Sequence, residues 1–487
     1  MRRERPETFL RVCTTDCVQA QAGCHTAGEM IGAILKQQAG MTMKILGLDL
    51  GTTTLSAVCM DIPGGRVLRA CTEPNRSGLR TAHGWEHLQD PEAIVKAAGS
   101  MLDVLLETHP DVCAIGVTGQ MHGIVYVDAS GQSLSPLMTW QDQRGALAEE
   151  GTESVCTLVR ERTGCRLFPG YGLASHMYNL RNGLVPVQTA KLATIADYVL
   201  MRLTGRASPL MHISQAAGLG LFDLQTQTWK EEALGLVPGS RDALPSVTPR
   251  FEIAGMYRGI PVCTALGDNQ AGFLGSVDNP QENILVNMGT GGQVSALSDR
   301  ILETEGIETR PLNEYAYLVV SASLCGGRAY ACLAELFASI AQAFGCGEQD
   351  PYSVMNRFLA LPQDPDPLRV ETTFAGTRDD PGLRGRITNI STENLTATGL
   401  TRGVLEGMVR ELYDGWMCMK THLLLAQSRI TVSGNAMRLN PQLRRITETC
   451  FGMPVTLTAH TEEAACGAAV SAAVAVGLMD WHAAIGQ

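Results

Sequence analysis

A chain of 487 residues is too long for one hydrophobic core, so two domains are expected, with three as the alternative. Hydrophobic residues make up 45% of the chain and charged residues 18%, a composition that excludes a largely disordered protein. The formal net charge of -11 argues against a nucleic-acid-binding protein, which would normally carry a basic patch.

Residues 1–42 differ from the rest of the chain. They begin with several arginines, as a signal peptide does, but no apolar segment follows. Three cysteines near His25 lack the spacing of a standard zinc module. We therefore predict an extension before Met43, either disordered or the product of an upstream start codon.

From Met43 onward the pattern becomes regular. Apolar alternation predicts three antiparallel strands, at residues 44–50, 55–60 and 66–71. Asp90 followed by proline is typical of a helix start, and the helix should run to about Glu107. A strand at 112–117 then ends in a glycine-flanked loop. This order indicates an α/β fold, with ligands at the carboxyl ends of the strands.

The second half of the chain repeats this logic after a mostly irregular middle, residues 129–265, with several short helices. A short strand at 261–265 precedes the expected junction near residues 272–280, which gives domains of 43–272 and 273–487. The pattern then predicts a strand at 429–432 and helices at 328–344, 401–426, 440–451 and 461–477. The last helix holds the longest apolar run, from Ala464 to Met479, which is too short for a membrane span.

One motif occurs in both halves: an apolar strand, a Gly/Thr turn and a second strand. The turns are Gly51-Thr52-Thr53-Thr54 and Gly289-Thr290-Gly291-Gly292. Glycine lets backbone amides approach an anion and threonine adds hydroxyl donors, so two such turns predict two domains that hold one polyphosphate. A single turn of this kind could be only a hairpin. Asp49, just before the first turn, is a suitable oxygen ligand for phosphate-bound Mg2+.

Asp268 is the candidate catalytic residue. It follows a short apolar strand and precedes Asn269, at the expected junction of the domains. A carboxylate there could accept the proton of a hydroxyl during phosphoryl transfer. The alternative is that Asp268 only caps the helix that follows, as loop aspartates often do.

Two further residues could contact a polyol. His122 lies in the glycine-flanked loop after a strand, although a lone histidine is usually structural. Trp140 begins a Trp-Gln-Asp-Gln-Arg cluster, in which an aromatic face could pack against a sugar while amides and acids bind its hydroxyls. A surface turn with a half-buried tryptophan explains that cluster equally well.

Together these motifs resemble the FGGY carbohydrate kinases of the actin/hexokinase/Hsp70 superfamily, from Met43 to about Gly477. The loop Gly119-Gln120-Met121-His122-Gly123 is similar to that of xylulokinases. Other stretches are most similar to the sedoheptulokinase subgroup: Thr139-Trp140-Gln141-Asp142, Thr163-Gly164-Cys165-Arg166 with Gly170-Tyr171-Gly172, Ala265-Leu266-Gly267-Asp268, Ser323-Leu324-Cys325-Gly326-Gly327 and Gly376-Thr377-Arg378.

The resemblance implies two ribonuclease-H-like domains around a central cleft, with sugar on the first and ATP mainly on the second. It implies that Asp268 is the general base and Asp49 the residue near Mg2+. The implied nucleotide contacts are Thr52, Thr53, Gly289, Thr290, Gly291, Gly434 and Asn435. The implied sugar contacts are Gln120, Met121, His122, Trp140, Tyr171 and Asn269. Ser433-Gly434-Asn435-Ala436 departs from the usual glycine triplet of the adenosine motif, which leaves nucleotide preference open.

We therefore expect an ATP- and Mg2+-dependent kinase that converts sedoheptulose to its 7-phosphate. The alternatives are a kinase for another ketose or polyol, such as xylulose or ribulose, and a nucleotide-dependent binding protein without catalysis. Fifteen scattered cysteines favour reduced thiols and a cytoplasmic location. The expected partners are the sugar and ATP, with no nucleic acid and no membrane. The sequence leaves the oligomeric state open, a homodimer included.

Overall fold

The computed structural model describes residues 43–148, 151–346, 349–377, 380, 382–423 and 427–485. The predicted extension at 1–42 and Arg378 of the Gly-Thr-Arg stretch lie outside these ranges. The three predicted antiparallel strands and the helix after Asp90 are confirmed. Asp90 caps that helix through its side chain, which accepts from the amides of Glu92 and Ala93.

The first half of the chain forms strands and helices up to residue 276. Its strands are β1 (Met43–Leu50), β2 (Thr54–Ile62), β3 (Val67–Pro74), β4 (Leu88–Gln89), β5 (Val112–Gly119), β6 (Val125–Val127), β7 (Leu137–Met138), β8 (Lys191–Ala193), β9 (Leu210–His212), β10 (Phe222–Asp223), β11 (Thr228–Trp229), β12 (Ser246–Thr248), β13 (Ile253–Tyr257), β14 (Ile260–Cys263) and β15 (Leu266–Gly267). Its α-helices are α1 (Pro91–Thr108), α2 (Val155–Thr163), α3 (Gly172–Arg181), α4 (Ile195–Thr204), α5 (Ile213–Leu219), α6 (Glu231–Leu234) and α7 (Asp268–Ser276). The middle segment is therefore more regular than its composition suggested.

The second half contains the remaining elements. Its strands are β16 (Asn283–Met288), β17 (Gly292–Ser298), β18 (Glu308–Pro311), β19 (Tyr317–Ser323), β20 (Arg369–Glu371), β21 (Arg386–Thr388), β22 (Arg429–Ser433) and β23 (Val455–Leu457). Its helices are α8 (Gly327–Ala343), α9 (Pro351–Leu359), α10 (Ala397–Lys420), α11 (Asn435–Leu439), α12 (Pro441–Phe451), α13 (Glu463–Ala475) and α14 (Trp481–Ala484). The domain junction that we placed at 272/273 falls inside α7, and the division there stays a prediction.

Each half is built on one central sheet, and five strands of the two sheets share the same order and directions. The first sheet runs β13-β14-β5-β1-β2-β3, and the second runs β18-β19-β17-β16-β22-β23. In the first sheet β1 pairs antiparallel with β2 and parallel with β5. In the second, β16 pairs antiparallel with β17 and parallel with β22. The expected repeat is therefore present at the level of strand order, as in a ribonuclease-H-like pair.

The last long helix returns to the first sheet. Helix α13, predicted as a buried apolar helix, packs against β1, β5 and α7. Glycine makes this approach possible, because a Cβ on Gly116 would lie 1.8 Å from the Ala468 carbonyl oxygen. This helix of the second half thus packs on the central sheet of the first half.

Candidate active site

Two carboxylates meet at the ends of two strands that both pair with β5 in the first half. Asp49 lies near the end of β1, and Asp268 directly follows β15. Both β1 and β15 pair in parallel with β5, so their carboxyl ends lie at one edge of the sheet. Asp49 and Asp268 consequently line one cavity of about 450 Å3, which we call the catalytic cavity.

Asp268 is not placed as a helix cap. Helix α7 begins at Asp268 itself, and the capping position falls to Gly267, which has no side chain to use. Burial raises the pKa of Asp268 to about 6, while the nearby Arg310 guanidinium and the Asn269 amide act in the opposite direction. With this pKa the carboxyl is mostly ionised at neutral pH, and Asp268 lines the catalytic cavity.

Asp49 has the more strained electrostatic environment. Burial first, and then the negative charges of Asp268 and Glu462, raise its pKa to about 7. Within the described ranges, its buried Oδ1 has no hydrogen-bond partner. A buried carboxylate oxygen without a donor fits a divalent cation, and Mg2+ needs only one or two carboxylates because it keeps several waters.

The second half supplies the opposite wall of the catalytic cavity. Its contributions come from the central strands, from β18 and from the start of α13: Leu285, Asn287, Gln293, Arg310, Ser433, Glu463 and Ala464. The cavity therefore lies between the two halves, as expected of a central cleft.

The first Gly/Thr turn is connected to the sugar-loop candidates. The Trp140 indole nitrogen donates to Thr52 Oγ1 at 2.9 Å, and Thr52 Oγ1 donates to Gln120 Oε1 at 3.2 Å. Gln120 is only 2% exposed and donates from Nε2 to Gln89 Oε1 at 2.8 Å. Gln120 thus lies behind the cavity wall, whereas Trp140, 46% exposed, lines the cavity. Thr53 lies in the same turn and is exposed.

Most of the remaining sugar candidates converge on the catalytic cavity. Met121, His122 and Asn269 line it directly. His122 has a left-handed backbone, with φ of 74°, and its ring stacks on Tyr171 with centroids 4.5 Å apart. Tyr171 therefore stands behind His122 and lines a neighbouring cavity instead.

The nucleotide candidates gather at the end of the second sheet. The second turn lies against the start of α8, where Gly289 and Thr290 carbonyls accept from the amides of Gly327 and Arg328. Gly434 has φ of 88°, and a Cβ there would lie 2.5 Å from the Met288 carbonyl oxygen. The turn Gly289-Thr290-Gly291 and the segment Gly434-Asn435 are therefore adjacent, close to a helix N-terminus that favours anions.

Sequence reasoning missed Arg310. This residue lies on β18, lines the catalytic cavity and donates to Glu308 Oε2 at 2.7 and 3.1 Å. Burial alone would lower its pKa, but the Glu308 carboxylate outweighs this and raises it. The Glu308–Arg310 pair could have been predicted from the sequence, because residues two apart on a strand share one face and these two have opposite charges.

Comparison with known proteins decides the family. Residues 44–275 match the N-terminal domain of the FGGY family of carbohydrate kinases, and residues 284–476 match its C-terminal domain. The chain belongs to the FGGY family of carbohydrate kinases. This membership makes the protein a sugar kinase with the actin/hexokinase-like two-domain fold, and it removes the support for a non-catalytic binding protein.

Three relatives show the range of similarity. Sedoheptulokinase from Mus musculus is 28% identical over 468 residues, which cover 87% of this chain and 96% of that protein. Xylulose kinase from Escherichia coli is 29% identical over 277 residues, 53% of this chain and 55% of that protein. The solved structure of xylulose kinase from Rhodospirillum rubrum has a TM-score of 0.76 at 23% identity and covers 91% of this chain and 92% of that one.

The part of the chain that the structure describes was searched for membrane-spanning helices and for clusters of metal ligands. None of its helices there is both long and apolar enough to cross a bilayer. Nor do the described His, Cys, Asp and Glu side chains form a group of three that could hold a metal ion. A metal at Asp49 would therefore depend on water and on its phosphate ligand for most of its coordination.

Proposed function

We propose that this FGGY kinase transfers the γ-phosphate of ATP to the terminal hydroxyl of a ketose, converting sedoheptulose to sedoheptulose 7-phosphate. The observation that carries the proposal is the position of Asp268, which faces Asp49 in a cavity lined by both halves of the chain. The substrate rests on the similarity to a sedoheptulokinase along almost its whole length.

In this proposal Asp268 is the general base. The terminal hydroxyl donates its proton to the Asp268 carboxylate as its oxygen bonds to phosphorus and the bond to the ADP oxygen breaks. The pKa of about 6 leaves Asp268 ionised at neutral pH and able to take the proton. Trp140 and His122 would orient the sugar, and closure around it would exclude water.

Asp49 would hold Mg2+, whose charge neutralises the phosphates during transfer. The orphaned Oδ1 and the raised pKa of Asp49 support this role. The turn Gly289-Thr290-Gly291 would contact the phosphates through its amides and hydroxyl. Gly434 and Asn435 would contact the nucleoside, and Thr52 and Thr53 would approach the transferred phosphate from the first half.

Another ketose is the second candidate substrate. The identity to the xylulose kinase of Escherichia coli is as high as that to the sedoheptulokinase, although it extends over about half of each chain. The number of carbons in the sugar is selected by the shape of the pocket, and overall sequence similarity does not determine that shape. Xylulose and ribulose therefore belong in any test.

The free thiols of the described cysteines support a cytoplasmic location for the kinase. We propose that it acts on free sugar and ATP there, with domains 43–272 and 273–487 and without a nucleic-acid or membrane partner. A homodimer is compatible with this proposal, and sedimentation of the full chain would test it.

ADP release from ATP·Mg2+ with sedoheptulose, xylulose, ribulose, fructose and glycerol tests the substrate. The highest kcat/KM is expected for sedoheptulose, and a clear preference for another sugar would move the substrate while keeping the mechanism. Asp268→Asn should lower kcat by about 1,000-fold with ATP binding and melting temperature retained. Asp278→Asn, at an exposed site ten residues away, is the matched control. Retention of most activity in Asp268→Asn would refute the base assignment.

A further inference from the structure

A second cavity of about 550 Å3 lies beside the catalytic cavity, and we call it the distal cavity. Its walls come from both halves: the first contributes Arg166, Tyr171 and helix α5, and the second contributes strands β18 and β19. Its volume lies within the range of about 300–1,000 Å3 that small-molecule sites occupy. Among the described residues that line it, Asp268 does not occur.

The two cavities adjoin at a neck. Met121, His122 and Arg310 line both of them. Arg310 is held in place by its two hydrogen bonds to Glu308, which also lines the distal cavity. A molecule that occupies the catalytic cavity and is long enough would therefore pass the Arg310 guanidinium into the distal cavity.

The distal cavity has an unsatisfied acceptor in its wall. Gln270 is 0% exposed to bulk solvent and donates from Nε2 to the Pro311 carbonyl at 3.0 Å. Its Oε1 has no hydrogen-bond partner in the described part of the chain. Because no part of Gln270 is exposed, this acceptor lies behind the cavity surface, and the wall there is fixed by the bond to Pro311. Ser214 lines the same cavity, but its hydroxyl is already bonded to the Gly267 amide and to His212 Nδ1.

The charges around the distal cavity favour an uncharged ligand. Arg166 and Arg310 contribute two guanidinium groups, whereas the lining carboxyl groups are those of Glu305, Glu308, Asp380 and Glu411. The carboxylates outnumber the guanidinium groups, and Arg310 is already paired with Glu308. A sugar acid or sugar phosphate would be repelled here, while a polyhydroxyl chain could use donors and acceptors of both kinds.

We propose that the distal cavity holds the end of the ketose remote from the phosphorylated carbon and sets the chain length that the enzyme accepts. The inference rests on the proposed function, since it assumes that Asp268 receives the terminal hydroxyl. With that hydroxyl in the catalytic cavity, the carbonyl end of a seven-carbon ketose reaches further past Arg310 than that of a five-carbon ketose.

Filling the distal cavity tests this proposal. Ala217 on α5 and Ala322 on β19 line the distal cavity, and neither lines the catalytic one. Ala217→Leu and Ala322→Leu therefore reduce its volume from opposite walls. Ala343→Leu, on the exposed end of α8, is the matched control. For each protein, kcat/KM is measured with sedoheptulose, fructose and xylulose, together with the melting temperature.

The proposal expects both filling variants to lower the ratio of kcat/KM for sedoheptulose to that for xylulose by about tenfold, with no change in the control. An unchanged ratio in a folded filling variant would overturn it. If the unmodified enzyme prefers a five-carbon ketose, the proposed substrate is wrong, and the ratio of fructose to xylulose then decides. A fall in that ratio supports the distal cavity as the length determinant, and constancy overturns it. If the unmodified enzyme, with Asp268 intact, turns over ATP with none of the sugars, that result would instead count against the proposed function.

Discussion

The two Gly/Thr turns occupy the same place in their sheets but differ in the polar residue that lies two positions before the first glycine. Asp49-Leu50-Gly51 in the first half corresponds to Asn287-Met288-Gly289 in the second. Both residues lie near the end of the central strand, beside the parallel neighbour strand, and both line the catalytic cavity. One half thus presents a carboxylate and the other an amide.

The neighbouring strands explain why only one of the two side chains is unsatisfied. Asn287 Nδ2 donates to Ser433 Oγ at 2.6 Å across the β16–β22 pair. The corresponding partner of Asp49 is Thr118, whose hydroxyl donates instead to the Leu266 carbonyl at 2.8 Å. Asp49 is therefore left available for a ligand, while Asn287 is fixed in the wall. The repeated scaffold has been used for two different tasks.

Asp49→Asn makes the first turn like the second and should have the largest effect of the substitutions in the two turns. Removing the carboxylate removes the proposed Mg2+ ligand, so kcat should fall about 100-fold or more, with little change in the KM for sugar. Steady-state ADP release across a Mg2+ titration measures both constants. Asp61→Asn, at the other end of the β1–β2 hairpin, is the control. A variant with ordinary kcat and Mg2+ dependence would contradict the metal role.

The converse change, Asn287→Asp, makes the second turn like the first. A second carboxylate in the cavity would repel the nucleotide phosphates, and the amide that donates to Ser433 would be replaced by an acceptor. We expect the KM for ATP to rise about tenfold. Asn287→Ser, which removes the amide without adding charge, separates the two causes. Equal effects of both substitutions would show that the lost hydrogen bond, and not the charge, matters.

Sequence reasoning predicted the local features well because each has a local cause. The strands around both turns, the Asp90-capped helix and the placement of Asp49 and Asp268 at strand ends follow from short-range patterns. Arg310 reaches the cavity only because β18 packs near α5, a long-range contact without a short motif. Gln120 matched a sugar loop, yet its side chain turns toward Thr52 and Gln89. Such orientations depend on packing and not on spacing.

A matched pair of threonine variants should give a smaller effect. Besides its proposed approach to the transferred phosphate, Thr52 is bound to Trp140 and Gln120, so Thr52→Val should raise the KM for sugar by about 3–10-fold. Thr290, exposed in the second turn, should instead affect ATP, so Thr290→Val should raise the KM for ATP by a similar factor. Initial rates with each substrate varied in turn distinguish the two. A common effect of both variants on one substrate would contradict a division of tasks between the turns.

The smallest expected effect is on stability, and it again separates Asp49 from Asn287. The folded pKa of Asp49, about 7, lies above its ordinary value of 3.8, so between these values the folded protein binds more protons than the unfolded chain. Asp49 therefore makes the folded state less stable as pH rises from 4 to 7. Asp49→Asn removes this loss.

In metal-free buffer with EDTA, the melting temperature of Asp49→Asn should be close to that of the unmodified protein at pH 4 and exceed it by about 4 °C at pH 8. Asn287→Ser, which removes no titrating group, should differ from the unmodified protein by the same amount at both pH values. If the difference in melting temperature between Asp49→Asn and the unmodified protein does not change with pH, ionisation of Asp49 does not destabilise the folded protein. The reason for keeping a carboxylate rather than an amide at the first turn would then have to lie elsewhere.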